Sequence, residues 1–180
     1  MSLGLAIADG KRIYMATESR GINCSWGTPP ISSKIISLQK KPEIKMLVTG
    51  GLYHWRDVMN KYVPKTTIEE ARDEIIRRLE DVTECCNEAC ALILGYKNGE
   101  PICYRINKLE HKKIDFQLED FKKPQPIGMF ATEAIEQVNQ LLKNRICKEK
   151  AIKQAKEYCI SLNNNTCWLE KPVVVDTMVS

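Results

Sequence analysis

The sequence predicts an α+β fold, and three observations predict it. Short stretches of alternating apolar and β-branched residues fill the first fifty positions. Helical periodicity then comes in two separate blocks, and further strand-like stretches lie between and after them. Strands and helices segregated in this way argue against repeating βαβ units.

The elements follow in order. Leu3, Leu5 and Ile7 alternate along a first strand that ends at the turn Ala8-Asp9-Gly10-Lys11. A second strand runs from Arg12 to Arg20. Residues Ser19 to Ile31 contain Gly21, Gly27, Pro29 and Pro30 and read as a loop. A third strand is expected from Ser32 to Leu38, and a fourth from Lys45 to Thr49, ending in Gly50-Gly51. A helix is expected from about Leu52 to Tyr62, stopped by Pro64. A second runs from about Thr67 to Val82. Its Thr67-x-x-Glu70 start is a capping-box pattern, and Ile68, Ala71, Ile75, Leu79 and Val82 share one face. A hairpin follows, with strands Ala91–Tyr96 and Pro101–Ile106 around the turn Lys97-Asn98-Gly99-Glu100. Short strands are expected at 112–118 and 125–128, helices at 131–144 and 148–162, and a last strand near Pro172–Asp176. No internal repeat, low-complexity stretch or linker interrupts the 180 residues, so one domain over 1–180 is expected.

Composition narrows the function classes. Hydrophobic residues make up 43% and charged residues 28%, which is ordinary for a globular protein. No run of about 18 apolar residues exists, so no membrane partner is expected. The N-terminus lacks a basic stretch followed by a long apolar one, so a cytoplasmic protein is expected. The net charge of +4 is mild. Lys143, Arg145, Lys148, Lys150, Lys153 and Lys156 crowd one helical region and read as a solvated face, not a nucleic-acid surface. Eight cysteines (Cys24, Cys85, Cys86, Cys90, Cys103, Cys147, Cys159 and Cys167) and two histidines, His54 and His111, give no zinc-ligand spacing. The cysteines read as buried free thiols, and no metal or cofactor is expected.

Ser2 carries the chemistry. With Met1 removed, it has a free α-amino group beside its hydroxyl, a nucleophile and a base in one residue. Glu18 and Arg20 lie sixteen and eighteen residues further on, and Lys34 thirty-two. The stretches Ala16-Thr17-Glu18-Ser19-Arg20, Lys34-Ile35 and Thr49-Gly50-Gly51 stand in the order and spacing found after the nucleophile in proteasome-type subunits. Over residues 2–60 the chain resembles the 20S proteasome β-subunit and its bacterial relative, the peptidase subunit of a two-component ATP-dependent protease. Beyond residue 60 the sequence is only compatible with that family.

The resemblance implies a four-layer αββα sandwich of the N-terminal-nucleophile hydrolase type. It also implies roles. Ser2 would be the nucleophile, and Lys34 would assist proton transfer. Glu18 would hold Lys34 charged and oriented. Gly50 would donate its backbone N–H to the tetrahedral oxyanion. Arg20, outside these roles, reads as structural, holding the loop after the second strand. Several features depart from the family. Its members typically have Thr as nucleophile and Asp at the position of Glu18. The Gly-Ser-Gly before the third helix is here Gly128-Met129-Phe130. No Asp aligns near the end of the fourth helix, where the chain reads Glu157-Tyr158-Cys159-Ile160-Ser161-Leu162-Asn163, and no Ser-Gly-Gly follows, so metal-binding carbonyls of that turn are not carried over.

The function implied is cleavage of peptide bonds, in peptide or unfolded-protein substrates, within a homo-oligomeric ring. No Gly-x-x-x-x-Gly-Lys-Ser/Thr loop is present, so an ATPase unfoldase would be a separate protein. Two other readings stay open: a catalytically silent proteasome-like scaffold or binding module, and a small-molecule amidase on the same fold. A retained Met1 acylates the Ser2 nitrogen, removes the base and favours the silent reading.

Overall fold

The computed structural model describes residues 3–18, 34–50, 52–81, 89–108, 114–162 and 173–180. Ser2, the expected loop Ser19–Ile31, Gly51, Val82, Cys24, Cys85, Cys86, His111 and Cys167 lie outside them.

The elements are β1 (Leu3–Asp9), β2 (Arg12–Glu18), β3 (Ile35–Lys40), β4 (Glu43–Gly50), α1 (Leu52–Lys61), α2 (Ile68–Glu80), β5 (Ala89–Lys97), β6 (Glu100–Lys108), β7 (Asp115–Leu118), β8 (Gln125–Gly128), α3 (Ala131–Lys143), α4 (Lys148–Leu162) and β9 (Val173–Val179). This is the expected α+β order. Several strands extend a residue or two beyond the expected bounds, and three differences go further. Lys34 sits in a bend before β3, not within the strand, and β3 continues to Lys40. The last strand runs on to Val179, because its whole length pairs with β2, from Glu18↔Val173 to Arg12↔Val179. Ile114 precedes β7 as a buried non-strand residue, so that strand begins three residues later than expected.

Two antiparallel sheets result, with strand orders β8-β1-β2-β9 and β3-β4-β5-β6-β7. β1 and β2 are buried on both faces. Leu3, Leu5, Ile7, Tyr14 and Ala16 point to one core cluster, with Ala134 and Val138 of α3 and Ile152 and Ala155 of α4. The alternate residues Ala6, Ala8, Ile13 and Met15 join a second cluster with Leu47, Leu92 and Leu94 of the other sheet. A third cluster packs Trp55 and Val58 of α1 and Ile68, Ile75 and Leu79 of α2 against Met46, Val48, Ala91 and Ile93. Covered on two sides, β1 and β2 carry near-continuous apolar runs in place of simple alternation. At Gly4 a Cβ would stand 2.7 Å from Leu47 Cδ2. Glycine is what lets β1 come this close to β4, two residues from Ser2.

The caps match the sequence signals. Thr67 Oγ1 accepts from the Glu70 backbone N–H at 3.2 Å, and the Glu70 carboxylate accepts from the Thr67 N–H at 3.3 Å. The hairpin turn has left-handed Asn98 (φ 52) and Gly99 (φ 79), as an Asn-Gly turn requires. Among the described residues no helix is long and apolar enough to cross a membrane. The described cysteines divide. Cys103 and Cys159 are buried thiols and Cys90 is partly buried, but Cys147, just before α4, is exposed and departs from the expectation.

Candidate active site

Glu18 ends β2 on the face that carries Tyr14 and Ala16, toward α4. The backbone puts it there because side chains alternate along a strand. Lys34 reaches the same place from the other sheet. Its carbonyl accepts from the Val48 N–H at 3.0 Å, which fixes the bend beside β4. From there Lys34 Nζ donates to Glu18 Oε1, and the two side chains are 3% and 1% exposed. The expected pair of Glu18 and Lys34 is therefore formed, and it is buried. A pair this deeply buried is not one of the solvent-exposed ion pairs that contribute about 0–1 kcal/mol.

Gly50 closes β4 opposite Ala89 and is exposed, with φ 78. That left-handed conformation suits glycine and ends the strand just before α1. Trp55 fixes the approach to it. This indole is fully buried among the residues of both α1 and α2, and its Nε1 donates to the Thr49 carbonyl at 3.1 Å. Gly50 thus stands two residues from Val48, the residue that holds the Lys34 bend. Ser2 lies outside the described residues, but its neighbour Leu3 opens β1 and is fully buried.

The structure adds a residue that the sequence reading had placed on a solvated face. Lys156 of α4 is fully buried. Its Nζ donates to Glu18 Oε2 and to the Leu3 carbonyl. A signal for this existed in the sequence. Ile152, Ala155 and Cys159 form the apolar stripe of α4, and position 156 falls inside that stripe, four residues after Ile152 and three before Cys159. Burial pushes the Lys156 ammonium group below the ordinary lysine range, and Glu18 works against that shift.

The Gly128-Met129-Phe130 segment has an unusual backbone. Gly128 has φ 93 and Phe130 φ 57, with Met129 between them partly buried. A left-handed aromatic residue is uncommon, and Phe130 is held there by packing on the α3–α4 cluster. Among the described residues, Thr17 Oγ1 is buried beside Glu18 with no hydrogen-bond partner.

No protein-family model matches this chain, and no curated protein matches it. A solved structure does. Eukaryotic HslV from Trypanosoma brucei aligns over 99% of this chain and 99% of its own, with a TM-score of 0.63 and 13% sequence identity. The likeness is one of fold. It spans 99% of each chain, so it includes the C-terminal half, where the sequence resemblance is thin.

Proposed function

We propose that this chain is a proteasome-type N-terminal-nucleophile hydrolase that cleaves peptide amide bonds with Ser2 once Met1 is removed. The observation that carries this reading is the buried Glu18–Lys34 pair, formed beside the start of β1 in an HslV-like fold. In the proposed reaction Ser2 Oγ adds to the scissile carbonyl carbon, and its proton passes to the Ser2 α-amine. The oxyanion accepts the Gly50 N–H, while Lys34, held by Glu18, stabilises the developing charge. The C–N bond then breaks, the leaving amine takes the proton, and an ester on Ser2 remains. Water, deprotonated by the same α-amine, attacks that ester, and the carboxylic acid leaves with Ser2 restored.

Other parts belong to this reading. The αββα layering is supported by one helix pair packing on each sheet and a cluster shared between the sheets. That shared cluster also supports one domain over 1–180. A peptide substrate, a homo-oligomeric ring, a separate ATPase and a cytoplasmic setting come with the family resemblance. Sedimentation showing only a 20.6 kDa monomer at all concentrations would remove the ring. A silent scaffold is the second reading, favoured by Met129 in the place of the family serine.

The test compares processed and Met1-bearing protein on short peptide amides. The processed form should turn over, and the Met1 form should be inert. Ser2→Ala should lose about 1,000-fold or more in kcat, and Ser2→Thr should stay active. Lys34 is buried, so Lys34→Met, which keeps the stem, is a cleaner variant than Lys34→Ala; it should lose activity to a similar degree. Equal turnover with and without Met1 would defeat the mechanism. Inactivity of the processed form on a broad peptide library would leave the scaffold.

A further inference from the structure

Packing does not explain a cation at position 156. Lys156 is 0% exposed and lies in the α4 stripe with Ile152, Ala155 and Cys159. An apolar side chain of similar length would fill the same space without the cost of burying an ammonium group. What Lys156 supplies instead is three-way contact. One ammonium group joins α4, the second carboxylate oxygen of Glu18 at the end of β2, and the Leu3 carbonyl at the start of β1.

We propose that Lys156 is a positioning residue of the Ser2 site, the second anchor that makes a glutamate serviceable where the family has an aspartate. The inference rests on the hydrolase reading and names a further residue of that site. Glutamate has one methylene more than aspartate, and so one more rotatable bond to fix. Lys34 on Oε1 leaves the carboxylate free to swing. Lys156 on Oε2 stops that swing and keeps Oε1 on Lys34. The same ammonium group holds the carbonyl of Leu3, the residue that follows Ser2 in the chain. The nucleophile's strand and the lysine that serves it are thus referred to one point. Burial pushes the Lys156 ammonium below the ordinary lysine range, against Glu18, as expected of a cation kept for its partners and not for solvation.

The experiment reads Lys34 directly. Full-length processed protein carrying 15N-labelled lysine is followed by NMR, with Lys34 and Lys156 assigned by single replacement. Hydrogen exchange at the Lys34 ammonium group is measured in wild type and Lys156→Met, alongside kcat and KM on a peptide amide. The expected result is measurably faster exchange in Lys156→Met, by about 10-fold or more, with KM unchanged and kcat down by about 10- to 100-fold, since a 1 Å misplacement can cost about 100-fold. A folded Lys156→Met with wild-type Lys34 exchange, or with wild-type kcat, overturns the proposal. If processed wild type has no turnover, the hydrolase reading fails separately, and the exchange measurement alone decides whether Lys156 fixes the pair. Should Lys156→Met not fold, Glu18→Gln decides. It should release both ammonium groups to faster exchange, and an unchanged Lys156 signal there overturns the proposal.

Discussion

Among the described residues, two carboxylates each hold more than one cation, and they are built in opposite ways. Glu74 takes Arg77 Nη2 at 2.8 Å and Arg78 Nε at 2.7 Å, from the next turn of its own helix, and Lys65 Nζ at 3.4 Å from just before it. Glu18 takes its partners from sequence separations of 16 and 138. Arg77 is 54% exposed, whereas no side chain of the Glu18 trio exceeds 3%. The first cluster follows from helical spacing and would form wherever α2 forms. The second exists only when both sheets and α4 are assembled. A local cluster steadies an element, and a long-range one fixes the relative position of elements, which is what a reaction site needs.

The largest expected effect breaks the comparison at its deeper end. Glu18→Gln leaves two buried ammonium groups with no carboxylate, and removing one partner of a buried ion cluster costs about 3–5 kcal/mol. Urea unfolding of the processed protein should show a loss of that size. A loss below about 1 kcal/mol would mean that the trio is solvated in practice and that depth does not separate the two clusters.

What the sequence made legible divides along the same line. Features set by neighbours in sequence were readable: the Thr67–Glu70 capping box, the Asn98-Gly99 turn, and the bounds of α3 and α4 within a residue or so. The Glu18–Lys34 pair was reached through family spacing, not through any local rule. Lys156 was misplaced because five other basic residues surround it between 143 and 153, and a count of charge hid a position that the helical stripe marks as buried. Trp55 holding the Thr49 carbonyl was also missed, since no spacing rule joins an indole to a strand end six residues earlier. The left-handed Phe130 has no sequence signal at all, because the residue type argues against that conformation.

The next effect is a difference in pH dependence. Burial lowers Lys156 from its ordinary 10.5, so between its folded value and 10.5 the unfolded chain binds more protons than the folded one. The stability contribution of this group is complete above 10.5 and is lost as pH falls through the folded value. Lys156→Met should abolish that rise. Tyr62 and Tyr96, both pushed up to about 12 by burial, act in the opposite direction over the alkaline range. The measurement is therefore the difference in urea midpoint between wild type and variant, from about pH 8 to about pH 11. Parallel curves would show that Lys156 carries no proton linkage.

The smallest effect sharpens the comparison from the local side. Burial alone would raise the Glu74 carboxyl, but hydrogen bonds from Arg77 and Arg78 outweigh it and hold the group at about 2. The contribution of Glu74 is present above its ordinary 4.5 and is lost as pH falls through about 2. Arg77 and Arg78 sit on the same helix as Glu74, Arg77 is 54% exposed, and Lys65 is partly exposed, so the cations of a Glu74→Gln variant regain hydration that Lys34 and Lys156 cannot. The expected cost at neutral pH is about 1–3 kcal/mol, discounted for the exposure of Arg77, and it shrinks at high salt. The expected cost of Glu18→Gln has no such salt dependence, because its partners are out of contact with solvent. Measuring both variants by urea unfolding at low and high salt separates the two kinds of cluster. A Glu74→Gln loss that equals that of Glu18→Gln and ignores salt would place both carboxylates in one class.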